Sequence, residues 1–97
     1  MNLTVELIEA VKADDILAVK DLLEKGADPN SVEDDANITP LHFTVVYNAI
    51  NTISLLVASG GNIYAKTCDG LTPLDLAKDL GQQEAEAHIK MCCNGIC

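Results

Sequence analysis

The sequence predicts an all-α fold in which one helix-turn-helix unit is repeated along the chain. Residues 39–42, Thr-Pro-Leu-His, return 33 positions later as Thr-Pro-Leu-Asp at residues 72–75. A second matching pair, Gly26 and Gly60, is 34 positions apart, and each glycine follows a leucine-containing apolar segment. A fixed period of this size indicates that one supersecondary unit has been copied, rather than that a single globular core has been built.

The two offsets describe the same repeat. The first connecting segment, residues 30–39, is one residue longer than its counterpart at residues 64–72, and a one-residue insertion in a loop costs little free energy. With these segments the chain resembles the ankyrin repeat family, whose repeat is about 33 residues long and carries a Thr-Pro-Leu-His signature. The resemblance implies an ankyrin-repeat solenoid of helix-turn-helix units with projecting loops that resemble β-hairpins.

Three copies of the unit account for the whole chain. We expect a single domain over residues 1–97, divided into repeat 1 at about 3–36, repeat 2 at about 37–69, repeat 3 at about 70–92 and a tail at 93–97. Three repeats are roughly the minimum for a stable array, because each copy buries its apolar face only against a neighbour. We therefore expect a complete three-repeat protein.

The helix starts follow from local chemistry. At residues 39–40 and 72–73 a threonine precedes a proline, which suits a capping residue followed by the first position of a helix. Apolar residues, among them Leu41, Leu55 and Leu56, then recur at helical spacing, and we expect Leu56 to lie in the core between the two helices of the middle repeat. The predicted helices are 4–12, 15–25, 40–47, 51–58, 73–80 and 83–91, with projecting loops at about 28–38 and 62–71.

Residues that tolerate a left-handed backbone mark the turns. Asn48 and Gly81 stand between the two helices of their repeats, where a tight turn needs that conformation. Gly26 and Gly60 are predicted to end the second helices as left-handed caps.

The charge is concentrated at the two ends of the chain. Ten acidic residues and three lysines give residues 1–37 a net charge of −7, residues 38–67 carry +1, and residues 68–97 carry −3. Terminal repeats need a polar outer face, whereas a middle repeat does not. The first and last copies, which also depart from the signature, are therefore predicted to act as caps.

The overall charge bears on the choice of partner. A net charge of −9 without any arginine opposes binding to nucleic acids and to anionic membranes. We expect the partner to be a protein with a basic patch. We also expect the chain to be monomeric. Acidity also serves simply to keep a small domain soluble, and this alternative stays open.

No sequence motif supports catalysis. The chain has no nucleophile elbow, phosphate-binding glycine loop or paired-carboxylate frame, so we expect neither an enzyme nor a cofactor. His42 is the one candidate general base. The resemblance instead implies that this histidine forms hydrogen bonds with the signature turn and the neighbouring repeat, and Asp75 replaces it in the last copy.

The resemblance also implies a binding surface, formed by the last turn of each first helix and by the tips of the loops. By position, the helix residues are Lys12, Ala13, Val46, Tyr47, Asp79 and Leu80, and the loop residues are Val32, Glu33, Asp34, Asp35, Lys66, Cys68 and Asp69. An exposed aromatic residue surrounded by charge is typical of a protein-binding hot spot. We interpret Tyr47 in this way; the alternative is that Tyr47 and Val46 pack against the next repeat.

The cysteine-rich C-terminus suggests an alternative function. His88 and Cys92 are four residues apart on a predicted helix, and Cys93 and Cys97 would complete a tetrahedral metal site. Redox activity, S-acylation, or a frayed tail in which Cys92 packs as a small apolar residue are the other interpretations. The start of the chain has no secretory signal, and no stretch of the sequence is apolar over a length that could span a membrane. We therefore expect a protein with free thiols in the cytoplasm, either of the producing cell or of a host cell to which it is delivered as an effector.

Overall fold

The computed structural model describes residues 3–32 and 36–93, and within them the chain forms α-helices and no β-strand. The helices are α1 (Leu3–Lys12), α2 (Ile16–Glu24), α3 (Pro40–Val46), α4 (Ile50–Ala58), α5 (Pro73–Leu80) and α6 (Gln83–Cys93). Their bounds differ from the predicted ones by at most two residues, and the all-α fold is confirmed. None of the helices in these two ranges is long and apolar enough to cross a membrane.

The signature threonines cap the first helices of repeats 2 and 3. The Thr72 hydroxyl accepts a hydrogen bond from the Asp75 amide at 3.1 Å, and the Asp75 carboxylate accepts one from the Thr72 amide at 3.2 Å. In repeat 2 the Thr39 amide donates to Nδ1 of His42 at 3.1 Å. Each pair is a capping box that satisfies amides left unpaired at a helix start.

The turn between the two helices has the same backbone conformation in all three repeats. Its central residue has a positive φ angle: 51° at Asp14, 53° at Asn48 and 71° at Gly81. Asp14 was not singled out in the sequence, although it lies one repeat before Asn48. Gly26 and Gly60 have φ angles of 103° and 99° after the second helices, as predicted.

The helices pack in two layers. The first helices of the repeats, α1, α3 and α5, lie side by side, and the second helices α2, α4 and α6 form the other layer. Leu7, Leu41 and Leu56 are fully buried in a core shared by the repeats. The prediction that Leu56 belongs to the core of the middle repeat is confirmed.

Polar side chains also connect one repeat to the next. The Asn30 side chain donates from Nδ2 to the Gly60 carbonyl at 3.0 Å and accepts from the Asn62 amide through Oδ1 at 2.6 Å. The Asn51 side chain donates to the Asp14 carboxylate at 3.0 Å. Because these bonds join groups that are distant in sequence, they fix the relative position of neighbouring repeats.

Candidate protein-binding site

A cleft of about 330 Å³ opens between helices α3 and α5 and the two projecting loops. Most of its wall is apolar, with a few polar groups contributed by the second loop. The lining residues are Ala36, Ile38, Phe43, Val46, Tyr47, Thr67, Cys68, Asp69, Leu71 and Leu76. This is the composition expected of a surface that receives an apolar side chain and fixes it with polar contacts.

The loop side of the cleft is held by hydrogen bonds. The Cys68 amide donates to the Ala36 carbonyl at 2.9 Å and so joins the second loop to the first. Within the second loop the Thr67 amide donates to the Leu71 carbonyl at 2.9 Å, and the Thr67 hydroxyl accepts from the amides of Asp69 and Leu71 at 3.3 Å. The loop therefore presents its side chains from a bonded turn.

An aromatic pair forms the helix side of the cleft. The rings of Phe43 and Tyr47 are tilted by 41° with their centroids 6.3 Å apart. The Lys12 ammonium group lies 5.2 Å from the Phe43 centroid and 5.6 Å from that of Tyr47, and it also lies 3.6 Å from the Glu9 carboxylate. Tyr47 is 50% exposed and Val46 43% exposed. The next repeat therefore does not enclose either side chain.

The predicted helix residues lie in three places. Val46 and Tyr47 line the cleft, and Lys12 lies over the aromatic rings beside it. Asp79 and Leu80 are exposed at the end of α5, outside the cleft lining. Ala13 lines a different groove, at the first repeat.

The predicted loop residues are also divided. Cys68 and Asp69 line the cleft, whereas Lys66 and Val32 are exposed away from it. The acidic group Glu33, Asp34 and Asp35 lies outside the described residues.

Sequence reasoning missed several residues of the cleft, among them Ile38, Phe43, Leu71 and Leu76. Phe43 had a signal that could have identified it, since it precedes Tyr47 by four positions and therefore lies on the same face of α3. Leu71 and Leu76 belong to the following repeat and gave no such local signal.

His42 has a structural role. The residue is fully buried, Nδ1 faces the Thr39 hydroxyl at 2.8 Å, and Nε2 lies 2.9 Å from the Leu71 carbonyl of the next repeat. Burial lowers the pKa of His42, and hydrogen bonds to the Leu71 and Ala65 carbonyls oppose that effect in part. With both ring nitrogens engaged, His42 joins two repeats in the way that the resemblance implied.

The cysteine prediction needs correction. Cys68 is free and exposed, but Cys92 is buried at the end of α6 and is disulfide-bonded. The expectation of free thiols is therefore wrong for Cys92, and in this state its sulfur is no thiolate ligand for a metal. Residues 3–32 and 36–93 contain no group of three or more potential metal ligands. Of the other candidates, Cys97 and the side chain of Cys93 lie outside the described part of the chain.

The fold defines a helical repeat protein, with a cleft between its helices and its projecting loops. The sequence matches the family described as ankyrin repeats, in three copies, over residues 7–90, and the chain belongs to this family. It is 39% identical over 71 residues to the mouse 2-5A-dependent ribonuclease, a match that covers 73% of this chain and 10% of that protein. It is 32% identical over 77 residues to the Drosophila melanogaster ARF GTPase-activating protein Git, covering 79% of this chain and 10% of that protein. It is 42% identical over 64 residues to the Xenopus tropicalis neurogenic locus notch homolog protein 1, a match that covers 65% of this chain and 2% of that protein.

The chain thus spans about a tenth or less of the length of these relatives. Because these relatives are much longer than this chain, the activities given in their names are not assigned to it. What the relatives share with it is the repeat. Ankyrin repeats are generally protein-protein interaction modules and are typically non-catalytic.

Proposed function

We propose that this chain is a protein-interaction module, without catalytic activity or cofactor, that holds a protein partner in the cleft beside Tyr47. The observation that carries the proposal is a half-exposed aromatic residue in the wall of an apolar cleft. Aromatic residues in such positions contribute a large share of the binding energy in protein interfaces. Ankyrin repeat proteins are commonly cytoplasmic, and we propose the same compartment and a monomeric state.

The cleft suggests what part of the partner it receives. Phe43, Leu71 and Leu76 supply apolar walls, which suit an aliphatic or aromatic side chain. Asp69 adds a carboxylate on the loop side. We therefore propose a partner segment that places an apolar side chain in the cleft and a lysine or arginine beside it.

The central role of Tyr47 can be tested directly. A photoreactive amino acid placed at Val46 should cross-link the partner in cell extract, whereas the same group at the exposed Ser54 of α4 should not. With the partner identified, Tyr47→Ala should weaken its binding by at least about 1 kcal/mol, or roughly fivefold in Kd. Tyr47→Phe is the matched control, since it keeps the ring beside Phe43 and Lys12. Equal affinities for wild type and Tyr47→Ala would exclude the cleft as the binding site.

Charge on the first loop should act on the rate of association. Glu33, Asp34 and Asp35 are adjacent in sequence, and a cluster at the rim of an interface mainly accelerates encounter with an oppositely charged partner. Changing Asp34 and Asp35 to asparagine should slow association at low salt, and the difference should shrink at about 0.15 M salt, where the Debye length is about 8 Å. An association rate indifferent to salt and to both substitutions would remove the basic patch from the proposal.

The thiol-dependent alternative gains no support from a ligand cluster among the described residues. Its remaining forms are directly measurable. Elemental analysis of the purified protein tests for a bound metal, and a thiol count with and without reductant tests for a reversible disulfide at Cys92.

A further inference from the structure

A second groove, separate from the cleft, lies on the outer face of the first repeat. It has a volume of about 470 Å³ and runs between α1 and α2. Its apolar floor consists of Val5, Ala10, Ala13, Ala18 and Leu22. Val5 is 40% exposed, and Ala18 and Leu22 are only partly buried. The outer face of this repeat is therefore less polar than a cap predicts.

The repeat register shows what kind of surface this is. Leu22 corresponds to Leu56 and Ile89 in repeats 2 and 3, and both of these are fully buried. Ala18 likewise corresponds to the fully buried Thr52 and Ala85. In those repeats the preceding helix pair covers this face, since α1 packs on α3, α2 on α4, and α4 on α6. The floor of the groove therefore has the register of a helix-packing surface, and its alanines allow a helix backbone to approach closely.

Acidic residues surround this floor. The groove is lined by Glu6, Glu9, Asp15 and Asp21 and by no basic residue. Lys12 lies 3.6 Å from Glu9, and Lys25 lies 2.9 Å from Asp21. When these two lysines are counted against the four carboxylates, the net charge of the groove surface is still negative.

We propose that this groove docks an amphipathic helix of a partner protein, with small and medium apolar residues on one face and lysine or arginine along its flanks. The apolar stripe would lie on the alanine floor, and the basic flanks would meet the acidic rim. A second copy of this chain is a poorer occupant, because each copy carries a net charge of −9 and two copies repel each other.

The probe for the test is a synthetic helical peptide of about 18 residues, or roughly five turns, made of leucine, alanine and lysine. Its twin has glutamate in place of lysine. Binding is measured by fluorescence anisotropy with the full chain, and the site is located by amide chemical-shift changes. Ala13→Arg places a cation and a long side chain in the groove at an exposed position, and Ser54→Arg makes the same charge change on the exposed side of α4.

We expect the lysine peptide to bind and the glutamate peptide not to bind. Shift changes should be confined to α1 and α2. Ala13→Arg should weaken binding about tenfold and Ser54→Arg less than twofold, with Val5→Lys as a second groove variant if Ala13→Arg lowers the melting temperature. The absence of binding, equal losses in both arginine variants, or shifts centred on Tyr47 and Cys68 would overturn the proposal. So would sedimentation showing a dimer that Ala13→Arg dissociates, because the occupant would then be a second copy.

Discussion

The first and the last repeat differ in the polarity of the face that no other described repeat covers. On the outer side of repeat 3, Lys78, Glu86 and Lys90 are accessible to solvent, and Lys90 pairs with Glu86 at 3.1 Å. Lys78 and Glu86 occupy the register positions of Val45 and Ile53, which are buried in repeat 2. On the outer side of repeat 1 the charges lie at the rim of a groove with an apolar floor. The outer side of the last repeat is therefore as polar as a cap requires, whereas the outer side of the first repeat is polar only at its rim.

A count of charges therefore does not determine the polarity of a face. Residues 1–37 carry more net charge than any other part of the chain. What matters is which helix positions the charges occupy, and in repeat 1 the positions that face outward at the centre are alanines. Substitutions at selected positions of the repeats, followed by measurements of stability, test this comparison.

The largest expected effect is at the repeat position that Leu22, Leu56 and Ile89 occupy. Leu56→Ala should lower the free energy of unfolding by about 2–5 kcal/mol, because it removes a fully buried side chain and leaves a cavity. Ile89→Ala should have a similar effect, whereas Leu22→Ala, at the open face, should cost less than about 2 kcal/mol. Urea denaturation followed by circular dichroism measures all three. Equal losses at the three positions would contradict the openness of the first repeat.

A smaller effect is expected from the pH dependence of the middle repeat. Because burial lowers the pKa of His42 below 6.5 in the folded protein, protonation favours the unfolded state. The free energy of unfolding should therefore be fully retained above about pH 6.5 and should fall as the pH drops from there toward the lowered pKa. Stability measured from pH 7.5 to 5 should show this slope in wild type and in a His88→Gln variant, and His42→Gln should remove it. A slope that persists in His42→Gln would assign the effect to another group.

The smallest effect on stability is expected in the cleft. Tyr47→Ala should change the free energy of unfolding by less than about 1 kcal/mol, because the ring is half exposed and its contacts with Phe43 and Lys12 lie at the surface. Thermal melts of Tyr47→Ala and Tyr47→Phe measure this. If Tyr47→Ala melts as early as Leu56→Ala, the ring belongs to the core, and a loss of partner binding would reflect unfolding.

The features that could be predicted from the amino-acid sequence are those that depend on neighbouring residues. Thr-Pro steps start α3 and α5, and Asn48 and Gly81 turn the chain between helices, because capping and left-handed turns are decided within a few residues. The period then implied that these units stack, and it identified Leu56 as core.

The surfaces that form between repeats could not be predicted in this way, because they depend on how the helices pack in three dimensions. The cleft needs Phe43 and Tyr47 from one repeat and Leu71 and Leu76 from the next, and the position of Lys12 over the rings depends on how α1 packs on α3. The groove on repeat 1 depends in the same way on the packing of α1 against α2, and both alanines and carboxylates line it. Such surfaces are set by the packing of side chains that are distant in sequence or belong to different helices. Local periodicity fixes the face of each residue, but it does not fix that packing.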